Sequence, residues 1–176
     1  MNRRDFLRFA AAVATTALPL PSVGQQMPRT LWIARDQPAA GLLIDISSPS
    51  GIAYLQYLLR DIRANRQGLV HPQLVSTLAW LQAWLTHWGL EAPIVATSGL
   101  RTSDTNRKVG GVDQSQHLPD ANGVFRAVDF WIPGVVTGDV ARMLEWAQAG
   151  GVGLYRSSNH IHLDAGRPRS WGLGNN

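Results

Sequence analysis

The run His160-Ile161-His162-Leu163-Asp164 alternates polar and apolar side chains. In a β-strand this period of two puts His160, His162 and Asp164 on one face, where two imidazoles and a carboxylate can hold a cation or move a proton. A second group lies upstream. Ser115-Gln116-His117 is followed by the turn-forming Pro119-Asp120-Ala121-Asn122-Gly123 and then by Ala127-Val128-Asp129-Phe130. That last stretch reads as a strand with an acid among apolar neighbours, and a buried aspartate requires a cation or several donors to offset the loss of water. Zinc is such a cation where two neutral imidazoles and a carboxylate supply three ligands and leave the fourth position to water. His117, Asp129 and His162 form a set of that composition. The competing assignment pairs Asp129 with Arg126 or uses it to cap a turn, with His117 on the surface. The chain has no cysteine. Thiolate nucleophiles, disulfides and sulfur-ligated metal are therefore excluded, and a metal is left to nitrogen and oxygen.

Strands and helices must bring these groups together. Leu42-Leu43-Ile44-Asp45-Ile46 reads as a short strand, and Ser47-Ser48-Pro49-Ser50 as a helix start. From Gly51 to Asn65, Tyr54, Leu55, Leu58, Leu59 and Ile62 recur at helical spacing. A second helix starts at Pro72, carries Leu74, Leu78, Leu81 and Leu85 on one stripe, and stops at Gly89. Trp80, Trp84 and Trp88 flank that stripe; beside leucines at this spacing they read as core and rim packing rather than a sugar-stacking platform. His71 and His87 have no partner at ligand spacing and read as ordinary. Residues 93–99 form a strand ending in a turn, residues 138–148 a third helix, and residues 153–155 and 161–163 two short strands. The order of these elements lacks the regular alternation of a doubly wound sheet, so the expected class is α+β, with a small antiparallel sheet flanked by helices.

Residues 1–24 read as an export signal: Asn2 to Arg8 is a charged head, and Phe9 to Leu20 a weakly hydrophobic stretch ending between Pro19 and Pro21. A dozen apolar residues are too few for a permanent membrane anchor. Arg3 and Arg4 followed by Phe6 and Leu7 resemble a twin-arginine signal, which implies passage through the twin-arginine export machinery to the periplasm. Cleavage is expected before Gln25. The formal charge of the whole chain is +4. Arg3, Arg4 and Arg8 against Asp5 account for half of it, and the remainder has no concentrated basic stripe, which argues against nucleic acid as a partner. The expected organisation is a signal at 1–24, a lead-in segment at 25–50 and a catalytic domain at 51–176, a length suited to one core.

Ser98-Gly99-Leu100-Arg101, Ser115-Gln116-His117, Ala127-Val128-Asp129 and His162-Leu163-Asp164-Ala165-Gly166 follow one another in an order that resembles the D-Ala-D-Ala carboxypeptidase-like zinc peptidases that cut bacterial peptidoglycan. Gly150-Gly151-Val152-Gly153-Leu154-Tyr155 and Arg169-Ser170-Trp171 are similar to their exported murein endopeptidase branch. The resemblance runs from Gly51 to Trp171 and implies a hedgehog-like zinc fold, a Zn2+ cofactor and peptidoglycan as partner. Cleavage of a stem or cross-link peptide is the expected reaction; D-Ala-D-Ala carboxypeptidase action and a non-catalytic peptidoglycan-binding module are the alternatives. Two departures stand out. The His117-to-Asp129 gap is about five residues longer than the family's, with Phe125 at a usual glycine, so the loop carries an insertion or Asp120 replaces Asp129 as ligand. Leu100 stands where an aromatic is usual.

The same resemblance implies metal ligands at His117, Asp129 and His162, and makes Arg101 the arginine that meets substrate carboxylates, a task that suits a planar guanidinium. It implies a substrate or oxyanion contact at Ser115. His160, two residues from His162 on the same face, is the expected general base or oxyanion stabiliser. Asp164 is the other candidate base, or orients a ligand imidazole through its second nitrogen.

Overall fold

The computed structural model describes residues 28–174; the signal segment at 1–24 lies outside them. Nine strands and four helices follow in the order β1 (Thr30–Arg35), β2 (Leu42–Asp45), α1 (Pro49–Leu58), β3 (Leu69–Val70), α2 (Pro72–His87), β4 (Ile94–Ser98), α3 (Ser103–Lys108), β5 (Val124–Phe125), β6 (Ala127–Trp131), α4 (Thr137–Trp146), β7 (Gly151–Tyr155), β8 (His160–Asp164) and β9 (Arg169–Trp171), with a single 3-10 turn between β1 and β2. Seven strands form one sheet in the order β2-β1-β4-β6-β8-β7-β9. The β1–β4 and β7–β9 pairs are parallel and the rest antiparallel. The α+β class is as expected, and the sheet is mixed. Among the described residues no helix is long and apolar enough to cross a membrane.

The period of two sorts the central strands. Val128 and Phe130 of β6, Ile161 and Leu163 of β8, and Val152 and Leu154 of β7 enter one apolar core with Leu55, Leu74, Leu78, Leu81 and Leu85 of α1 and α2 and with Val140 and Leu144 of α4. Their alternates, Asp129, His160, His162 and Asp164, belong to the opposite face. Burying each Leu or Phe of this core contributes about 1.5–3 kcal/mol, so the sheet is held from the helical side and its other face is free to carry polar groups.

Several elements differ from the sequence expectation or add to it. Thr30–Arg35, within the expected lead-in segment, is an interior strand beside the sheet edge with Leu31, Ile33 and Ala34 buried. Gln82 of α2 locks it: its amide donates to the Trp32 carbonyl and its oxygen accepts from the Trp32 N–H. The helix expected to reach Asn65 ends at Leu58. Beyond it the chain folds back through an isolated bridge between Asp61 and Arg66, which leaves Ile62 46% exposed although its spacing fits the apolar stripe. The long loop after His117 has a structure of its own: Gly123 adopts a positive φ of 77°, and β5 pairs in parallel with β3. Helix starts are as expected, with the Ser48 hydroxyl accepting from the Gly51 N–H at 3.0 Å. Trp80 and Trp84 pack against the core and Trp88 lies exposed, the core-and-rim arrangement.

Candidate metal centre and active site

One register row crosses five strands. Ser98 of β4 is opposite Asp129 of β6, Asp129 is opposite His162 of β8, His162 is opposite Gly153 of β7, and Gly153 is opposite Trp171 of β9. A Cβ on Gly153 would lie 2.3 to 2.5 Å from three atoms of the Trp171 indole. Glycine therefore lets that ring cover the strand and reach His162, with ring centroids 5.1 Å apart. The Trp171 Nε1–H donates to the Tyr155 hydroxyl at 3.3 Å, and Tyr155 stacks on His160 with centroids 4.7 Å apart.

His117 comes from the loop after α3. The Arg101 N–H donates to its carbonyl at 2.9 Å, and the Ser115 hydroxyl accepts from its N–H at 3.3 Å. The segment carrying Gly99 and Arg101 is itself clamped. Leu100 N–H donates to the Leu59 carbonyl at 2.9 Å, and buried Asp61 accepts from the Thr102 N–H at 2.8 Å and from its hydroxyl at 3.0 Å. A Cβ at Gly99 would meet the Leu59 carbonyl oxygen at 2.3 Å, so only glycine permits this approach. Asp61 gave no sequence signal, because it falls between the apolar residues of the stretch from Gly51 to Asn65 expected to be one helix.

The row and the loop bring His117, Asp129 and His162 together, all three buried, with one potential ligand atom of each within 4.8 Å of the others. Asp129 Oδ1 lies 3.2 Å from His117 Nε2 and 3.0 Å from His162 Nδ1, and the two ring nitrogens are 3.2 Å apart. The outer nitrogens fix the tautomers. His117 Nδ1 is 2.6 Å from the Gly99 carbonyl, an obligate acceptor, so it carries the hydrogen. His162 Nε2 is 2.9 Å from Asp164 Oδ2 and donates to that carboxylate. In the neutral rings both inner nitrogens then present lone pairs to a carboxylate oxygen. Three converging acceptors repel unless a cation or proton lies among them. Two imidazole nitrogens and one carboxylate oxygen match a catalytic zinc set, and the carbonyl and carboxylate behind the rings are the usual outer partners. The residues fit the metal.

The electrostatics agree. Burial opposes charge on Asp129, but His117 and His162 in their protonated forms outweigh it by donation and charge, so positive charge among the three groups holds the carboxyl far below the ordinary range. Burial likewise opposes charge on His162, yet Asp129 and Asp164 raise its proton affinity above the usual value. Burial dominates at His117 and lowers its proton affinity, and burial does the same at His160. Arg101 Nη2 donates to Asp129 Oδ2, and its Nε donates to the Ser98 hydroxyl at 2.9 Å. One Asp129 oxygen thus faces the histidines and the other faces Arg101, a pairing the sequence did not reveal. Arg126 turns instead to Asp120 at 2.7 Å, while Asp120 also accepts from the N–H groups of Asn122 and Val124. The turn occupies Asp120, and the Arg126–Asp129 pairing considered from the sequence does not occur.

Asp164 is fully buried on the side of the His162 ring away from the three converging atoms. It accepts from Arg169 Nη1 at 3.0 Å, from Arg169 Nη2 at 2.6 Å and from the Gly166 N–H at 2.8 Å. His160 lies half-buried and lines two recesses that meet at Asp129 and Arg101. One recess extends along the sheet toward β4 and β1; the other passes Ser115 toward Tyr155 and Trp171 on β7 and β9.

Comparison with known proteins fits this geometry. The chain is 28% identical over 179 residues to the peptidoglycan L,D-endopeptidase MepK of Escherichia coli (strain K12), an alignment covering 97% of each chain. It is 32% identical over 185 residues to the probable peptidoglycan L,D-endopeptidase MepK of Haemophilus influenzae, covering 97% of this chain and 95% of that one. Residues 53–164, which carry every converging side chain described above, match the family described as Peptidase M15, whose peptidases are zinc-dependent in general. With most of its length matched, this chain belongs to the Peptidase M15 family.

Proposed function

We propose that the chain is an exported zinc endopeptidase that hydrolyses peptide bonds of peptidoglycan in the periplasm, with an L,D linkage as its target by analogy with the relatives' names. The observation that carries the reading is the convergence of two imidazole lone pairs and a carboxylate at the junction of two recesses. His117 Nε2, His162 Nδ1 and Asp129 Oδ1 would hold the ion. Zinc in such a site brings a water's pKa toward neutrality and polarises a carbonyl oxygen.

The remaining steps belong to side chains. His160, kept neutral by burial, takes a proton from the attacking water and delivers it to the leaving amine nitrogen as the C–N bond breaks. The products are a carboxylate and an amine. Asp164 acts through His162, holding the tautomer whose Nδ1 faces the centre, and is a positioning residue rather than the base. Arg101 orients Asp129 and faces the substrate at the same junction, and Ser115 borders the β9 recess for a polar contact. Recesses on both sides of the centre suit a chain that continues past the scissile bond, which favours endopeptidase over carboxypeptidase action. The twin-arginine segment at 1–24 supports export after cytoplasmic folding.

Purified peptidoglycan digested with and without chelator, followed by mass analysis of the released fragments, tests this function. Chelator-sensitive release of fragments with new termini at an internal peptide linkage is expected. Loss of terminal D-alanine alone would replace the reading by carboxypeptidase action, and binding without release would replace it by the binding module.

A further inference from the structure

The recess toward β1 contains a charged residue that the proposed chemistry does not use. Arg35 ends β1, outside the segment matched to the family, and borders this recess with Arg63, Thr97 and Ser98. Its guanidinium is largely desolvated, with the side chain 18% exposed. Nη1 donates to the Leu58 carbonyl at 3.2 Å, whereas Nε is buried with no hydrogen-bond partner among the described residues. The nearest carboxylate, on Asp36, is 3.5 Å from Nε and half exposed, a distance at which it neutralises the arginine weakly. The other acids of the recess have local partners: Asp61 accepts from Thr102 and Ala64, and Asp129 faces Arg101 and the histidines. With Nε buried and Nη1 donating to Leu58, the terminal Nη groups are what this guanidinium offers to the open recess, where they can meet a carboxylate through charge-assisted hydrogen bonds. The backbone fixes it in place: Asp36 adopts a positive φ of 61° and donates its N–H to the Ala96 carbonyl at 3.0 Å, closing the strand end directly after Arg35.

We propose that this recess is a carboxylate subsite anchored by Arg35, which binds a free carboxylate of the peptide on the β1 side of the scissile bond. The subsite rests on the peptidoglycan-peptidase function argued above, and gives it a specificity determinant. Stem peptides offer two such carboxylates near an internal linkage, on D-glutamate and on diaminopimelate, and both present the same chemistry to the arginine.

Calorimetric binding of the zinc-loaded protein to three tetrapeptides of the stem sequence, each amidated at its C-terminal D-alanine, tests the subsite: one with the D-glutamate and diaminopimelate carboxylates free, one also amidated at D-glutamate and one also amidated at diaminopimelate. The wild type is expected to bind one amidated peptide about 10- to 100-fold more weakly than the free one, and the position that matters identifies the carboxylate. Arg35→Gln is expected to bind the free peptide and that amide equally, with Arg35→Lys intermediate; the lysine variant carries the comparison if the glutamine variant does not fold. Equal binding of all three peptides by the wild type, or retained discrimination in the Arg35 variants, overturns the subsite. Hydrolysis of whole peptidoglycan by the same wild-type sample is read separately. Discrimination without hydrolysis keeps the subsite and overturns the peptidase function.

Discussion

Replacing Asp164 by Asn separates positioning from proton transfer. Asp164 is completely buried and accepts from the His162 Nε2–H, both terminal Arg169 nitrogens and the Gly166 N–H. An asparagine offers one acceptor oxygen and one NH2 in the same space. If the oxygen keeps His162, the NH2 faces the Arg169 donors; if it keeps Arg169, the NH2 donates to His162 Nε2 and drives the ring hydrogen to Nδ1, into the metal centre. Each arrangement weakens the ligand, and loss of such an outer partner typically costs 10- to 100-fold in metal affinity, about 1.4–2.7 kcal/mol. Arg169 is 37% exposed and can be rehydrated, so the added cost to folding is about 1–2 kcal/mol, below that of orphaning a fully buried charge. Competition with a fluorescent chelator measures the zinc affinity, urea unfolding the stability, and turnover at saturating zinc the chemistry. The expected result is weakened zinc binding with turnover largely restored by excess metal. Zinc affinity within twofold of wild type, together with turnover that added zinc does not rescue and loss of the acidic limb of the pH–rate profile, would refute positioning and make Asp164 the base.

Four further substitutions probe neighbouring parts. His160→Ala is expected to retain zinc and lose about 10²- to 10⁴-fold in turnover, measured by metal analysis beside peptide release; loss of zinc would make His160 a ligand. Asp120→Asn should leave metal stoichiometry unchanged and Asp129→Asn should abolish it, because Asp120 is held in its turn by Arg126, Asn122 and Val124. Asp61→Asn should lower stability by about 1–3 kcal/mol at pH 7 in urea titrations through the lost Thr102 and Ala64 contacts. Burial opposes ionisation of Asp61, but these hydrogen bonds outweigh it and depress its folded-state proton affinity. Its ionic contribution is therefore full above the unfolded value near pH 4 and fades as pH falls through the lower folded value, so variant and wild type should converge in acid.

The chemistry-bearing strands were legible because their signal is local. Alternation in residues 160–164 and the acid within residues 127–130 each specify a face without knowledge of the partner strand. The leucine stripe of α2 is legible for the same reason. What escaped depends on contacts distant in sequence. Thr30–Arg35 is six residues between Arg29 and Asp36, and its place in the sheet is set by β4 and by Gln82 fifty residues away. Ile62 continues an apolar period that Asp61 interrupts by bonding Thr102. Gly153 looks like a flexible residue and instead makes room for Trp171. The charge on Arg101 was visible, but its pairing with Asp129 depends on the β4–β6 register and the bulge between Ala96 and Ser98.

Metal content and turnover measured on the same preparations of wild type and His162→Ala test the central claim most directly. The wild type should carry about one zinc per chain in the His117–Asp129–His162 set and release peptidoglycan fragments, losing both with chelator and regaining both with added zinc. His162→Ala should fold, bind no zinc at the wild-type affinity and release nothing. A His162→Ala protein that is free of metal and cleaves peptidoglycan at the wild-type rate would contradict the account.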